Sequence, residues 1–138
     1  MTEFYYPHVE IKGYILRHVA VWEGAYVYMY APVGAAENLN IGIGSPEAIQ
    51  IFITRPEYYY EHYGRSAQES FYETLYANFN DAILTEDDMI YFEKWGFLLA
   101  LMADTQVQIR VPSHRNSYDY LRDLARQVID TAELVKVR

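Results

Sequence analysis

Arg110, His114 and Arg115 lie close together in the chain, with Asn116 and Ser117 directly after them and an amphipathic stretch beyond. A helix that starts at such a turn presents unpaired backbone N–H groups and the positive end of its dipole, which suit a phosphate or carboxylate. Guanidinium groups add charge-assisted donors in a fork that matches such anions. These five residues form the candidate anion site, and a small anionic or nucleotide ligand is the chemistry they imply. The plainer alternative is a cap: Asn116 or Ser117 closes the helix start, Asp119 answers as the capping-box acid, and the arginines are solvated.

A second cluster runs from Arg55 to Arg65. Tyr58, Tyr59, Tyr60 and Tyr63 with His62 stand between the two arginines. Aromatic rings can stack on a base or another flat group while Arg holds a phosphate. Tyr and Arg are also the residue types enriched in protein interfaces. Glu57 and Glu61 weigh against an anion here, and a helical turn that packs its rings on a sheet is the simpler account.

For catalysis, His114 is the one side chain placed to act as a general acid or base. His8, His18 and His62 show no recognisable pairing, and His8-Val9-Glu10 and Glu61-His62 are isolated pairs. The chain has no His-x-x-x-His, no Gly-rich phosphate loop and no Gly-x-Ser-x-Gly elbow, and Gly42-x-Gly44 is too short to cradle a phosphate. No catalytic residue, metal ligand or cofactor is assigned. The chain also has no Cys, which removes thiolate chemistry and disulfides.

Charge narrows the partners. The net charge is −8, and residues 1–104 hold 15 acidic against 5 basic side chains, while residues 105–138 hold 4 against 6. Direct nucleic-acid binding needs clustered Lys and Arg, so it is not expected. A basic partner protein is, and the expected role is that of a small acidic non-catalytic interaction protein, an inhibitor or immunity-type factor that blocks a nucleic-acid-handling partner. The start of the chain lacks the order of a signal peptide, so a cytoplasmic location is expected. No membrane contact is expected either.

The 15 Tyr residues stand out. Tyr combines an apolar body with a polar tip and serves in half-buried sheets and at contact surfaces alike. Tyr26, Tyr28 and Tyr30 alternate with Val27 and Met29, so the strand period puts the three rings on one face. The Val27 and Met29 side is read as the core, leaving the Tyr stripe as a partly wet sheet face or an interface. Exposed stripes and a sheet edge also suit a homo-oligomer.

These residues need elements to position them. At 138 residues the chain reads as one globular domain over 1–138. Residues 1–55 read as an antiparallel sheet: Glu10 to Trp22, a turn at Glu23-Gly24, Ala25 to Ala31, a short strand at Ile41 to Gly44, and Ile49 to Thr54 with its isoleucines inward. Pro32 to Asn40 is a loop by composition. Pro56 opens and Gly64 closes a short helix. Ser66 and Glu69 form a capping box for the next helix, where Phe71, Leu75 and Phe79 make an apolar stripe ending at Asn80-Asp81.

The apolar run Trp95 to Ala103 leads the reading of Thr85 to Ala103 as a buried central helix, with Thr85 as N-cap and Glu86, Asp87 and Asp88 in its first turn. This helix is expected to pack antiparallel to the one before it. Gln106 to Val111 returns as a strand, stopped by Pro112, and a last helix buries Leu121, Leu124, Ala125, Val128 and Ala132. The expected fold class is α+β, in the order β-β-β-β-α-α-β-α: a mostly antiparallel sheet of about four to five strands with three main helices packed on one side.

Overall fold

The run Phe97-Leu98-Leu99-Ala100-Leu101-Met102 is apolar on every side because it lies in the middle of a sheet covered on both faces, and it is a strand. In a computed structural model, which describes residues 2–35, 41–85 and 88–137, the chain order is β1 (Thr2–Tyr6), β2 (Tyr14–Trp22), β3 (Ala25–Pro32), β4 (Ile49–Thr54), α1 (Tyr58–Tyr63), α2 (Ala67–Ala77), β5 (Ile83–Thr85), β6 (Met89–Phe92), β7 (Phe97–Met102), β8 (Thr105–Arg110), α3 (Tyr118–Thr131) and β9 (Glu133–Val137). Short 3₁₀ turns occupy Glu93–Trp95 and Ser113–Arg115. The described strands form one seven-stranded sheet, ordered β2-β3-β4-β8-β7-β6-β5, and a separate ribbon of β1 with β9. Every pairing is antiparallel.

The expected α+β class and mostly antiparallel sheet hold, while the strand count, the order and the helix placement change. The helix expected over Thr85 to Ala103 is instead β5, β6 and β7, and Glu86 and Asp87 lie outside the described residues. Three backbone positions forbid a continuous helix: Asp88 (φ 53°), Gly96 (φ 65°) and Ala103 (φ 51°) are all left-handed and reverse the chain. A short continuous apolar run fits a strand buried on both faces as well as it fits a buried helix, and here the flanking turns decide. Asp88, expected in the first turn of that helix, instead accepts a hydrogen bond from the Tyr72 hydroxyl at 3.2 Å.

The helices do not share one side. On the first face, Leu121, Leu124, Ala125 and Val128 of α3 bury against Leu98, Ala100, Val107 and Ile109. The β1–β9 ribbon continues that layer, with the Tyr28 hydroxyl donating to Tyr5 O at 2.6 Å and the Tyr6 ring edge-on to Tyr28 at 5.4 Å. On the second face Phe71 of α2 packs with Ile90, Phe92 and Leu99. Residues 133–137, to which the sequence reading gave no element, are the strand that closes the ribbon, because Ala132 already leaves helical geometry (ψ 131°).

Several local signals act as expected. Ser66 and Glu69 exchange the two capping-box bonds at 3.1 and 3.2 Å. Gly64 ends α1 in the left-handed region at φ 68°. Ile49, Ile51 and Ile53 point into the core. Ile41 to Gly44, expected as a strand, is a turn: Gly44 has φ 90° and Ser45 N donates to Gly42 O at 3.0 Å. Phe79 falls beyond the end of α2 and is 79% exposed, so the apolar stripe of that helix stops at Leu75. No helix among the described residues is long and apolar enough to cross a membrane.

Candidate functional site

Beside α2, over β3, β4 and β8, a groove of about 500 Å³ opens on the second face. Ala25, Phe52, Leu99, Gln106 and Gln108 make its floor. One wall is the outer side of α2, from Ser70 through Glu73 and Thr74 to Asn78, and the other is Trp22 and Glu23 with Tyr58, Tyr59 and Tyr63 of α1. The volume and the mix of rings with a few polar groups match those of small-ligand and side-chain binding clefts.

Local sequence explains each wall. Glu23 and Gly24 both have positive φ, 48° and 80°, the conformation of the tight two-residue hairpin turn that joins β2 to β3. Gly24 is also needed for space, because a Cβ there would overlap the Tyr58 ring. Arg55 N donates to Gly24 O at 2.9 Å, tying the end of β4 to this turn. The α2 wall is fixed at its start by Gln106, whose side-chain amide donates to Ala67 O at 2.8 Å.

The rings are ordered against one another. Tyr58 stacks on His62 with centroids 4.9 Å apart and planes 11° from parallel, and Tyr63 stands edge-on to both at 5.8 and 4.8 Å. Trp22 meets Phe52 edge-on at 6.2 Å. Tyr59 is buried behind this layer. Burial pushes its hydroxyl up to about 12, an effect opposed by hydrogen bonds involving Thr54, Thr105 and the Gln106 backbone.

Charges of both signs reach the α1 wall. The Tyr58 hydroxyl is raised by desolvation first, then by Tyr63 and by the carboxylate of Glu23, while the Arg55 guanidinium acts to lower it. The nearby cations are already engaged: Arg55 pairs with Glu57 at 2.9 Å and with Glu61 at 3.7 Å, and Arg65 pairs with Glu73. At the far side, Arg110 lies over the rings of Phe52 and Phe97 at 5.5 and 5.4 Å. Its Nε and Nη2 donate to the Gln108 side-chain oxygen at 2.8 and 3.0 Å when that amide is oriented to receive them.

The residues of the expected anion site are dispersed. Arg110 stays on the groove face, whereas Arg115 lies over Tyr14 and Tyr120 at 5.8 and 5.6 Å, beside the layer formed by α3. His114 is exposed in the 3₁₀ turn. Asn116 is occupied, accepting from the Tyr91 hydroxyl at 2.7 Å and donating to Glu93 O at 2.8 Å. Ser117 is the cap of α3, accepting from Tyr120 N at 3.2 Å. Asp119, expected to answer it, instead pairs with Arg122 at 3.2 Å, because Tyr120 holds the third helical position.

Of the tyrosine cluster, Tyr58, Tyr59 and Tyr63 do line the groove, while Tyr60 is exposed. Of the stripe, Tyr28 and Tyr30 are buried under the ribbon and Tyr26 meets the Phe4 ring at 4.6 Å with a 33° tilt, so these rings are core packing within the chain. Val27 and Met29 are buried too, because both faces of β3 are covered. The groove residues that sequence reasoning left out are Trp22, Glu23, Phe52, Glu73, Gln106 and Gln108. The alternation of β8 did carry a signal, since Gln106 and Gln108 must share the face opposite Val107 and Ile109; that face is the groove floor.

Among the described residues, no three His, Asp or Glu side chains gather into a group able to hold a metal ion. Known protein families, curated proteins and solved structures offer no match to this chain.

Proposed function

We propose that this protein is a small acidic binding protein, without catalysis of its own, that engages a basic partner protein and blocks it in the manner of an inhibitor or immunity factor. The observation that carries this reading is the groove: an aromatic and amide-lined cleft with Glu23 at its lip, while Glu73 on its wall is already paired with Arg65. Trp22, Tyr58 and Tyr63 offer ring faces and edges to an inserted Arg or Lys side chain, and the Glu23 carboxylate beside the rings favours the same cation. The net charge of −8 adds long-range attraction for a basic surface. An anionic ligand has less support, since Arg55 and Arg65 are paired to glutamates and Arg110 and Arg115 lie on rings.

The test is a titration with arginine-rich, acidic and uncharged peptides of one length, followed by Trp22 fluorescence in a Trp95→Phe background, which leaves a single indole. Only the cationic peptide should bind, with an affinity that falls steeply with salt. Glu23→Gln should weaken it about tenfold, the scale of one charge-assisted contact. Equal binding of the uncharged peptide, or no loss in that variant, would overturn the proposal.

A further inference from the structure

The floor of the groove carries two amide side chains that the fold itself holds in place. Gln106, Gln108 and Arg110 share one face of β8, opposite Val107 and Ile109, and both glutamines line the groove. Gln106 is buried, and its Nε2 donates to Ala67 O at the start of α2 at 2.8 Å. Gln108 turns its oxygen to Arg110 and accepts from Nε and Nη2 at 2.8 and 3.0 Å. Each amide therefore uses one end within the fold. Gln106 keeps an acceptor, its Oε1, and Gln108 keeps the donors of its Nε2. Among the described residues no buried side-chain N or O lacks a partner, so these two ends are not sealed beneath the surface and open on the groove.

An acceptor and a donor fixed along one strand recognise a group that offers the converse pair. Gln106 and Gln108 stand about 6.8 Å apart along β8, the two-residue repeat of a strand. The N–H and C=O groups on one edge of an extended main chain recur at that same repeat. The two heads also lean apart, Gln106 towards α2 and Gln108 towards Arg110, so they do not converge on the edge of a single base or other small ring.

The walls fit the same occupant. When an extended segment lies with its polar edge on the floor, successive side chains point to opposite walls. One wall is rings, Trp22, Tyr58 and Tyr63, and the other includes the small Ser70, Thr74 and Ala77. On that second wall the Thr74 hydroxyl and the Asn78 amide already donate within the helix, to Ser70 O at 3.0 Å and to Thr74 O at 2.8 Å. The floor is left to make the main-chain contacts.

Taking the groove as the place where the basic partner binds, on which this step rests, we infer that the partner enters it as an extended segment whose main chain is read by Gln106 and Gln108. An N–H of the segment donates to Gln106 Oε1, and a C=O accepts from Gln108 Nε2. A basic side chain lies among the rings beside Glu23, and its small neighbours lie along α2. Main-chain bonds supply affinity and register, and the ring wall selects the side chain.

Calorimetric titration of the full chain with a short capped peptide, one arginine flanked by serines, tests this. Its main-chain nitrogens are methylated one at a time. Losses of about five- to tenfold, the scale of one hydrogen bond, should fall on alternate positions, with little loss at those between. Gln108→Met removes the donor at similar length. It should weaken the peptide by a similar factor and leave propylguanidinium, an arginine side chain without main chain, unchanged. A methylation scan without alternation, or an equal loss for propylguanidinium in Gln108→Met, would overturn the inference and leave the groove reading standing. A nucleoside that displaces the peptide and depends on Gln108 would overturn it as well, because the floor would then read a base edge. If the all-serine peptide binds as tightly and keeps the alternation, main-chain reading stands and the basic partner falls. If neither the peptide nor propylguanidinium binds, the groove reading fails and takes this inference with it.

Discussion

The two faces of the seven-stranded sheet are covered to different extents. On the first, α3 and the β1–β9 ribbon cover Tyr28, Ile51, Ile109 and Leu98. On the second, α2 covers β7 and β8, and beside it Phe52, Gln106 and Gln108 form the floor of an open groove. The closed face should hold most of the folding free energy, and the open one the capacity to bind. Where a layer covers the sheet its apolar area is already used, and partial coverage leaves apolar area for a ligand to bury.

Substitutions can break that contrast. Leu121 is fully buried under the closed face, and Leu121→Ala should cost about 2 to 5 kcal/mol in urea unfolding, as buried leucine truncations do. A loss below about 1 kcal/mol would mean that the closed face is loosely packed. Alkaline unfolding probes both faces together, because Tyr30 under the ribbon and Tyr59 behind the groove are each pushed by burial up to about 12. The folded state holds these protons more tightly than the unfolded chain. Their contribution is therefore whole below about pH 10, the pKa of a free Tyr, and is lost as pH rises to 12. Each should cost about 2 to 3 kcal/mol over that interval, and Tyr59→Phe should flatten the fall seen by circular dichroism.

Gly24→Ala strikes the groove through its turn, combining a positive φ with overlap on Tyr58. A loss of about 1 to 3 kcal/mol is expected, together with a shift in the Tyr58 and His62 ring resonances. A smaller effect than that of a fully buried side chain should come from Trp22→Ala, about 2 kcal/mol, because nearly half of the indole is already exposed. That variant should nevertheless abolish peptide binding. If Trp22→Ala destabilises as much as Leu121→Ala, the division of labour between the faces is wrong.

What the sequence made legible follows how local each signal is. Ser66 with Glu69, Gly64 and Ser117 act within a few residues, and each behaves as its chemistry dictates. The alternation of Gln106 to Val111 was equally direct. The stretch from Thr85 to Ala103 was not, because a strand covered on both faces loses the alternation that marks a strand, and what covers it, α2 and α3, is remote in the chain. The same cause hid the fate of the Tyr stripe. Tyr28 faces inward only because Tyr5 and Tyr6 lie over it, and β1 is held there by β9 from the other end of the chain. The groove was half visible: Tyr58, Tyr59 and Tyr63 were marked by type, but Trp22, Glu73 and Gln106 join them only through the packing of three distant elements.

The pairing of Thr2 with Val137 also has a meaning in time. During synthesis β1 emerges well before its partner strand, so Phe4, Tyr5 and Tyr6 stay unpaired for the interval in which roughly 130 residues are added. At ribosomal rates that is on the order of 10 s. Throughout it, Tyr28 lacks the backbone acceptor that its hydroxyl uses in the finished protein. Closing so long a loop is entropically slow, so the ribbon is the step that should report on completion of folding, and the aromatic first strand is the segment that chaperones would have most reason to hold.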